Sequence, residues 1–132
     1  MNATHALDHV GFTVSDYAAA RAFYKAALKP LGWKVIMEFP SKKEPSAGGF
    51  GVEGKPFFWI SQGKKKTAPH LHIAFGAQSR KAVDAFYKAA IKAGGRDNGG
   101  PGVREMYHPN YYAAFVLDPD GHNLEAVTHK PE

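Results

Sequence analysis

This sequence predicts an α+β fold made of two copies of one βαβββ unit. Three observations carry the prediction. The chain repeats at an offset of 63 residues, so that Phe23-Tyr24-Lys25-Ala26-Ala27 returns as Phe86-Tyr87-Lys88-Ala89-Ala90. An ungapped comparison of residues 9–32 with 72–95 gives 11 identities in 24. In each copy a segment of strand period precedes one of helix period, and further strand-period segments follow. A duplicated unit that packs on its copy places equivalent residues around a pseudo-twofold axis. The chain reads as one domain, 1–132, with modules at about 5–62 and 69–129.

The elements follow in order. Leu7 to Val14 alternates and is rich in β-formers, which predicts a strand. Ser15 or Asp16 then caps a helix whose apolar face is Ala20, Phe23, Tyr24, Ala27, Leu28 and Leu31. Pro30 and Gly32 end it. Trp33 to Phe39 is a second strand, 40–49 a loop, and Phe50–Val52 with Pro56–Ser61 a hairpin around Gly54. A hinge over 63–69 leads to a strand at His70–Ala77 and a helix capped by Ser79 and stopped by Gly94-Gly95. Residues 97–102 form a loop. Strands are expected at Val103–His108, Tyr111–Leu117 and Asn123–Thr128, the last two joined by the turn Asp118-Pro119-Asp120-Gly121.

A chain of 132 residues is long enough for a real core. It has no cysteine, which excludes disulfides and thiolate ligands and suits a reducing cytoplasm. No apolar run reaches the roughly 18 residues of a membrane span, and Met1 to His5 has no signal-peptide character. The formal charge of +5 sits on lysines of loops and polar helix faces, without an arginine-rich or aromatic-interleaved run. Neither nucleic acid nor membrane is expected as a partner.

Three side chains point to chemistry. His9 and His72 occupy equivalent repeat positions, each fourteen residues before its Phe-Tyr-Lys-Ala-Ala block. Glu125 lies mid-strand between Leu124 and Ala126, where a carboxylate is costly to bury unless it is paired or binds a metal. Two imidazoles and one carboxylate on rigid strands hold a divalent ion and leave positions open for substrate. Aligning the hairpins on Gly54 and Gly121 puts Phe58 opposite Glu125, so three protein ligands are expected rather than four. Other readings stay open. Both histidines can be core residues, and Glu125 can pair with Arg104. His70 is expected in solvent at the strand edge, and His122 in a turn. Arg104 is a candidate for gripping a substrate carboxylate or phosphate. His108 and Tyr112 are candidate proton donors or cleft residues, and Trp59, Phe58 and Tyr107 candidate substrate contacts.

The paired βαβββ units, the two strand histidines and the ending Asp118-Pro119-Asp120-Gly121-His122-Asn123-Leu124-Glu125 resemble the vicinal oxygen chelate superfamily of glyoxalases, bleomycin resistance proteins and dioxygenases. The resemblance covers nearly the whole chain. It implies a curved mixed sheet around a metal and substrate cleft, with ligands at His9, His72 and Glu125. It also implies a divalent ion (zinc, manganese, nickel or iron), a small-molecule substrate and a homodimer. The implied activity is that of a lyase, isomerase or thiol transferase chelating adjacent substrate oxygens, with a thiol cosubstrate in the last case. The apolar Phe58 at the fourth ligand position makes the thiol transferases the nearer analogue than glyoxalase I. The alternative is a metal-independent binding protein of the bleomycin-resistance type, with an aromatic groove.

Overall fold

In a computed structural model, residues 7–64 and 70–132 are described. Most of the hinge expected over 63–69 lies outside them, as do residues 1–6. Two four-strand paths each pack on one helix, and the two helices pack on each other. The first comprises β1 (Val10–Val14), β2 (Lys34–Phe39), β3 (Ala47–Val52) and β4 (Lys55–Gln62), in the order β1-β4-β3-β2. The second comprises β5 (His72–Gly76), β6 (Arg96–Asp97), β8 (Tyr112–Leu117) and β9 (Asn123–Thr128), in the order β5-β9-β8-β6, with β7 (Gly102–Val103) on β8. Both sheets are mixed, because β1 runs parallel to β4 and β5 parallel to β9, while the other pairs are antiparallel. The repeat therefore survives as repeated topology.

Helix α1 (Tyr17–Leu28) starts where Asp16 accepts a hydrogen bond from the Ala19 amide. Helix α2 (Arg80–Lys92) starts where Ser79 accepts one from Ala82. Each cap satisfies an amide that the first helical turn leaves unpaired. The helices bury Ala20, Phe23 and Tyr24 in one copy and Val83 and Phe86 in the other. One shared core results, which also takes in Phe12, Phe58, Phe75 and Leu124. Glu53 and Gly54, both at positive φ, make the two-residue turn between β3 and β4. That geometry matches the twist of a hairpin.

The turn at 118–121 also joins the modules. The Tyr24 hydroxyl donates to Asp118, and Ser15 donates to Asp120 through its amide (3.0 Å) and its hydroxyl (2.5 Å). The Asp118 carboxylate accepts in addition from the amides of Asp120 and His122 at 2.9 and 2.8 Å. Burial is the largest cause that pushes the Tyr24 phenol far above its ordinary range, so it stays a donor.

The strand expected at Val103–His108 stops at Val103. The chain turns instead, because the Tyr107 amide bonds back to the Arg104 carbonyl (3.0 Å) and the Arg104 amide to the Tyr111 carbonyl (2.7 Å). Local bonds within the segment win over pairing to a neighbour.

Candidate metal centre

Glu125 is buried to 2% exposure, yet both carboxylate oxygens have partners. Oε1 lies 3.0 Å from His72 Nε2, and Oε2 accepts from the Tyr111 hydroxyl. Strand geometry explains the first contact. In the parallel β5–β9 pair, His72 lies opposite Asn123 and Ala74 opposite Glu125, so residues 72, 74, 123 and 125 share the face turned away from the helices. Burial first, and then the Glu125 bond, push the Tyr111 phenol up to about 12.

Proton placement makes the pair informative. His72 Nδ1 lies 3.0 Å from the Asn123 carbonyl oxygen, which only accepts, so Nδ1 carries hydrogen. In a neutral ring, Nε2 then holds a lone pair aimed at a carboxylate oxygen. That arrangement requires a cation between or upon them, either a proton or a metal ion. A spacing of about 3 Å also suits two donors sharing one ion at bonds of about 2.0–2.2 Å. The donor set fits a divalent metal on this ground.

His9 is placed differently. Its side chain is 59% exposed, and its Nδ1 lies 2.8 Å from the Asp8 carboxylate, which also accepts from Lys55 at 3.0 Å. The His9 bond, followed by Lys55, holds the Asp8 carboxyl below its usual range. An ionised Asp8 leaves the Nε2 of a neutral His9 as the available donor, the orientation common among metal-ligating histidines. His9 and His72 line one cavity of about 1090 Å³, walled by Trp33, Phe57 and Phe75. Among the described residues, however, no three His, Cys, Asp or Glu side chains converge on one point. The chain thus forms the His72–Glu125 pair and leaves His9 apart from it.

Register corrects the expected counterpart of Glu125. Gly11 pairs with Trp59 as Ala74 pairs with Glu125, so Trp59 holds the equivalent position. Phe58 is one residue off and points the opposite way, 1% exposed, its ring 5.4 Å from those of Phe12 and Phe75. A shift of one residue exchanges the faces of a strand. Trp59 is no ligand either, so the site remains asymmetric. It stacks on Phe39 at 5.9 Å.

The remaining candidates fall in different places. Arg104 does not reach Glu125. It donates to the carbonyls of Gly102 (3.0 Å) and Gly100 (2.7 Å), and its guanidinium lies over Phe115, whose ring stacks on His72. His108 bonds to His129, with 2.8 Å between Nε2 and Nδ1. Tyr107 is 61% exposed. Tyr112 lies on the helix side of β8, bonded to Asp84 at 2.6 Å. His70 is exposed beside His122, which is buried and accepts from the Leu71 amide at 3.0 Å. The sequence places Tyr111 beside the candidates His108 and Tyr112 without assigning it a role, and it does not mark His129. Tyr111 directly precedes β8 and reads as a strand residue, and His129 follows the final strand with no repeat partner to flag it.

No helix among the described residues is long and apolar enough to cross a membrane. A family model described as the glyoxalase/bleomycin resistance protein/dioxygenase superfamily matches residues 6–126. A glyoxalase/bleomycin resistance protein of Albidiferax ferrireducens T118 superposes with a TM-score of 0.73 at 29% identity, covering 93% of this chain and 98% of that one. Lactoylglutathione lyase of Agrobacterium tumefaciens gives 0.67 at 14% identity, covering 95% and 94%. Fosfomycin resistance protein FosX of Mesorhizobium loti gives 0.66 at 20% identity, covering 96% and 93%. No curated protein matches the chain. The two mixed sheets, their flanking helices and a family match over nearly the whole length agree, and the chain belongs to the glyoxalase/bleomycin resistance protein/dioxygenase superfamily.

Proposed function

We propose that this protein is a divalent-metal-dependent cytoplasmic enzyme that binds a small substrate through two adjacent oxygens, as a lyase, isomerase or thiol transferase. The single observation that carries the reading is the His72–Glu125 pair, whose imidazole nitrogen and carboxylate oxygen stand 3.0 Å apart, a spacing that suits two ligands of one ion. A bound zinc, manganese, nickel or iron ion would act as a Lewis acid on the substrate oxygens. The protein's own residues do the rest. His72 and Glu125 hold the ion, Asn123 fixes the His72 tautomer, and Arg104 on the same sheet face offers its remaining donors to an anionic substrate group. The lactoylglutathione lyase and fosfomycin resistance neighbours support this class of reaction without choosing within it.

The third ligand in this reading is the partner's His9 in a homodimer. β5 begins at His72 and β1 one residue after His9, and both strands are sheet edges. An edge strand is open to pairing along one side. Joining β1 of one copy to β5 of another brings His9 toward His72 and Glu125 across the interface.

The aromatic cavity favours a second reading, a binding protein that needs no metal. Metal analysis of protein purified without chelator separates the two. The enzyme reading expects about one divalent ion per chain, lost in His72→Ala and Glu125→Gln. Ligand binding indifferent to chelator and to both substitutions supports the binding protein.

A further inference from the structure

We infer that Tyr111 is the positioning residue of Glu125: its phenol occupies one carboxylate oxygen, so that the other alone faces His72 and the ion. The inference rests on the metal reading above and deepens it. The terminal torsion of a glutamate is broad and nearly two-fold, so the side chain's own preferences do not choose which oxygen faces a ligand. A carboxylate can also ligate through one oxygen or both. The Tyr111 hydroxyl settles both questions by donating to Oε2 and leaving Oε1 beside His72 Nε2.

Tyr111 can do this because it is itself held. Its ring stands edge-on against the rings of His108 and His129, at centroid distances of 5.5 and 5.3 Å, and packs on Tyr107 at 4.8 Å. The two imidazoles form one unit. The Asn110 amide donates to His108 Nδ1 at 3.0 Å, so a neutral His108 carries its hydrogen on Nε2 and donates it to His129 Nδ1. The main chain adds two bonds, from the Arg104 amide to the Tyr111 carbonyl and from the Tyr111 amide to the His108 carbonyl. The turn at 104–111, which replaces the strand expected there, thus has a use: it aims one phenol at one buried oxygen.

Cobalt(II) titration of the metal-free protein tests this, read by calorimetry and by the visible band of the bound ion. Tyr111→Phe keeps the ring and removes the donor. It is expected to retain wild-type circular dichroism, to bind cobalt about ten- to a hundred-fold more weakly, as loss of outer-shell partners does, and to alter the visible band. His129→Ala, at an exposed position, removes one wall of the ring's slot. It should move both readouts the same way by less, and it carries the test if Tyr111→Phe does not fold. Unchanged affinity and an unchanged band in a folded Tyr111→Phe overturn the inference. If the wild-type protein takes up no cobalt, the metal reading itself fails and the inference falls with it, a result distinguishable because it precedes any substitution.

Discussion

Glu125 and Glu38 each sit among hydrogen-bonding partners, and those partners differ. Glu125 faces His72 Nε2 and the Tyr111 hydroxyl, and in the proposed function it shares a metal ion with His72. Glu38 has its cation already: Arg21 donates from Nε (2.7 Å) and Nη2 (3.1 Å), and Tyr17 adds a hydroxyl at 2.6 Å. The Arg21 bonds are the main cause holding the Glu38 carboxyl below its ordinary 4.5. A carboxylate depressed in the folded state contributes stability that is present above its unfolded value and lost as pH falls through its folded one. Thermal midpoints of the wild-type protein should therefore fall as pH drops below about 4.5. Glu38→Gln should have a lower midpoint at neutral pH and a shallower fall in acid. Parallel curves for the two proteins would remove Glu38 from the account.

At the scale of elements, the alternation of strands and the capping of helices were legible, and the exact register was not. Asp16, Ser79, Gly54 and the Asp118–Gly121 turn have local signatures, because a cap or turn is decided by a few neighbouring residues. Register is decided across strands. Sequence alignment on Gly54 and Gly121 misses by one because the β3–β4 pairing shifts between Phe50 and Gly51, close to the turn used as the reference. β3 was also cut short, since Ala47-Gly48-Gly49 reads as loop. Yet a Cβ at Gly49 would stand 2.8 Å from the Trp59 ring, so that strand needs glycine to let the indole lie across it. The face assignment makes a prediction. Phe58→Ala should cost about 3–5 kcal/mol by leaving a cavity in the shared core. Trp59→Ala, at a half-buried position, should cost clearly less, as chemical denaturation would measure. Equal losses would contradict the register.

For the whole molecule, duplication explains why two histidines sit at equivalent positions, and divergence of the copies why only His72 meets a carboxylate from the neighbouring strand. The second copy carries Glu125 where the first carries Trp59. The repeat and the family resemblance make His9, His72 and Glu125 one expected set. The separation of His9 from the His72–Glu125 pair was not legible, because sequence periodicity says nothing about how two sheets are set relative to each other. If the partner's His9 completes each centre, mixed dimers of His9→Ala and Glu125→Gln subunits contain one intact ligand set. Refolding the two variants together at equal amounts should then restore metal binding to about a quarter of the wild-type capacity, since half of the dimers are mixed and each mixed dimer has one intact site of two. No restoration would keep all three ligands within one chain.

In the proposed function the His72–Glu125 pair holds a divalent ion. The most direct measurement is the metal content, by elemental analysis, of protein purified without chelator and then exposed in turn to zinc, manganese, nickel and iron(II). About one tightly held ion per chain is expected for at least one metal, lost on His72→Ala or Glu125→Gln with the fold retained. A wild-type protein that holds none of the four, or variants that hold the ion as well as wild type, would contradict it.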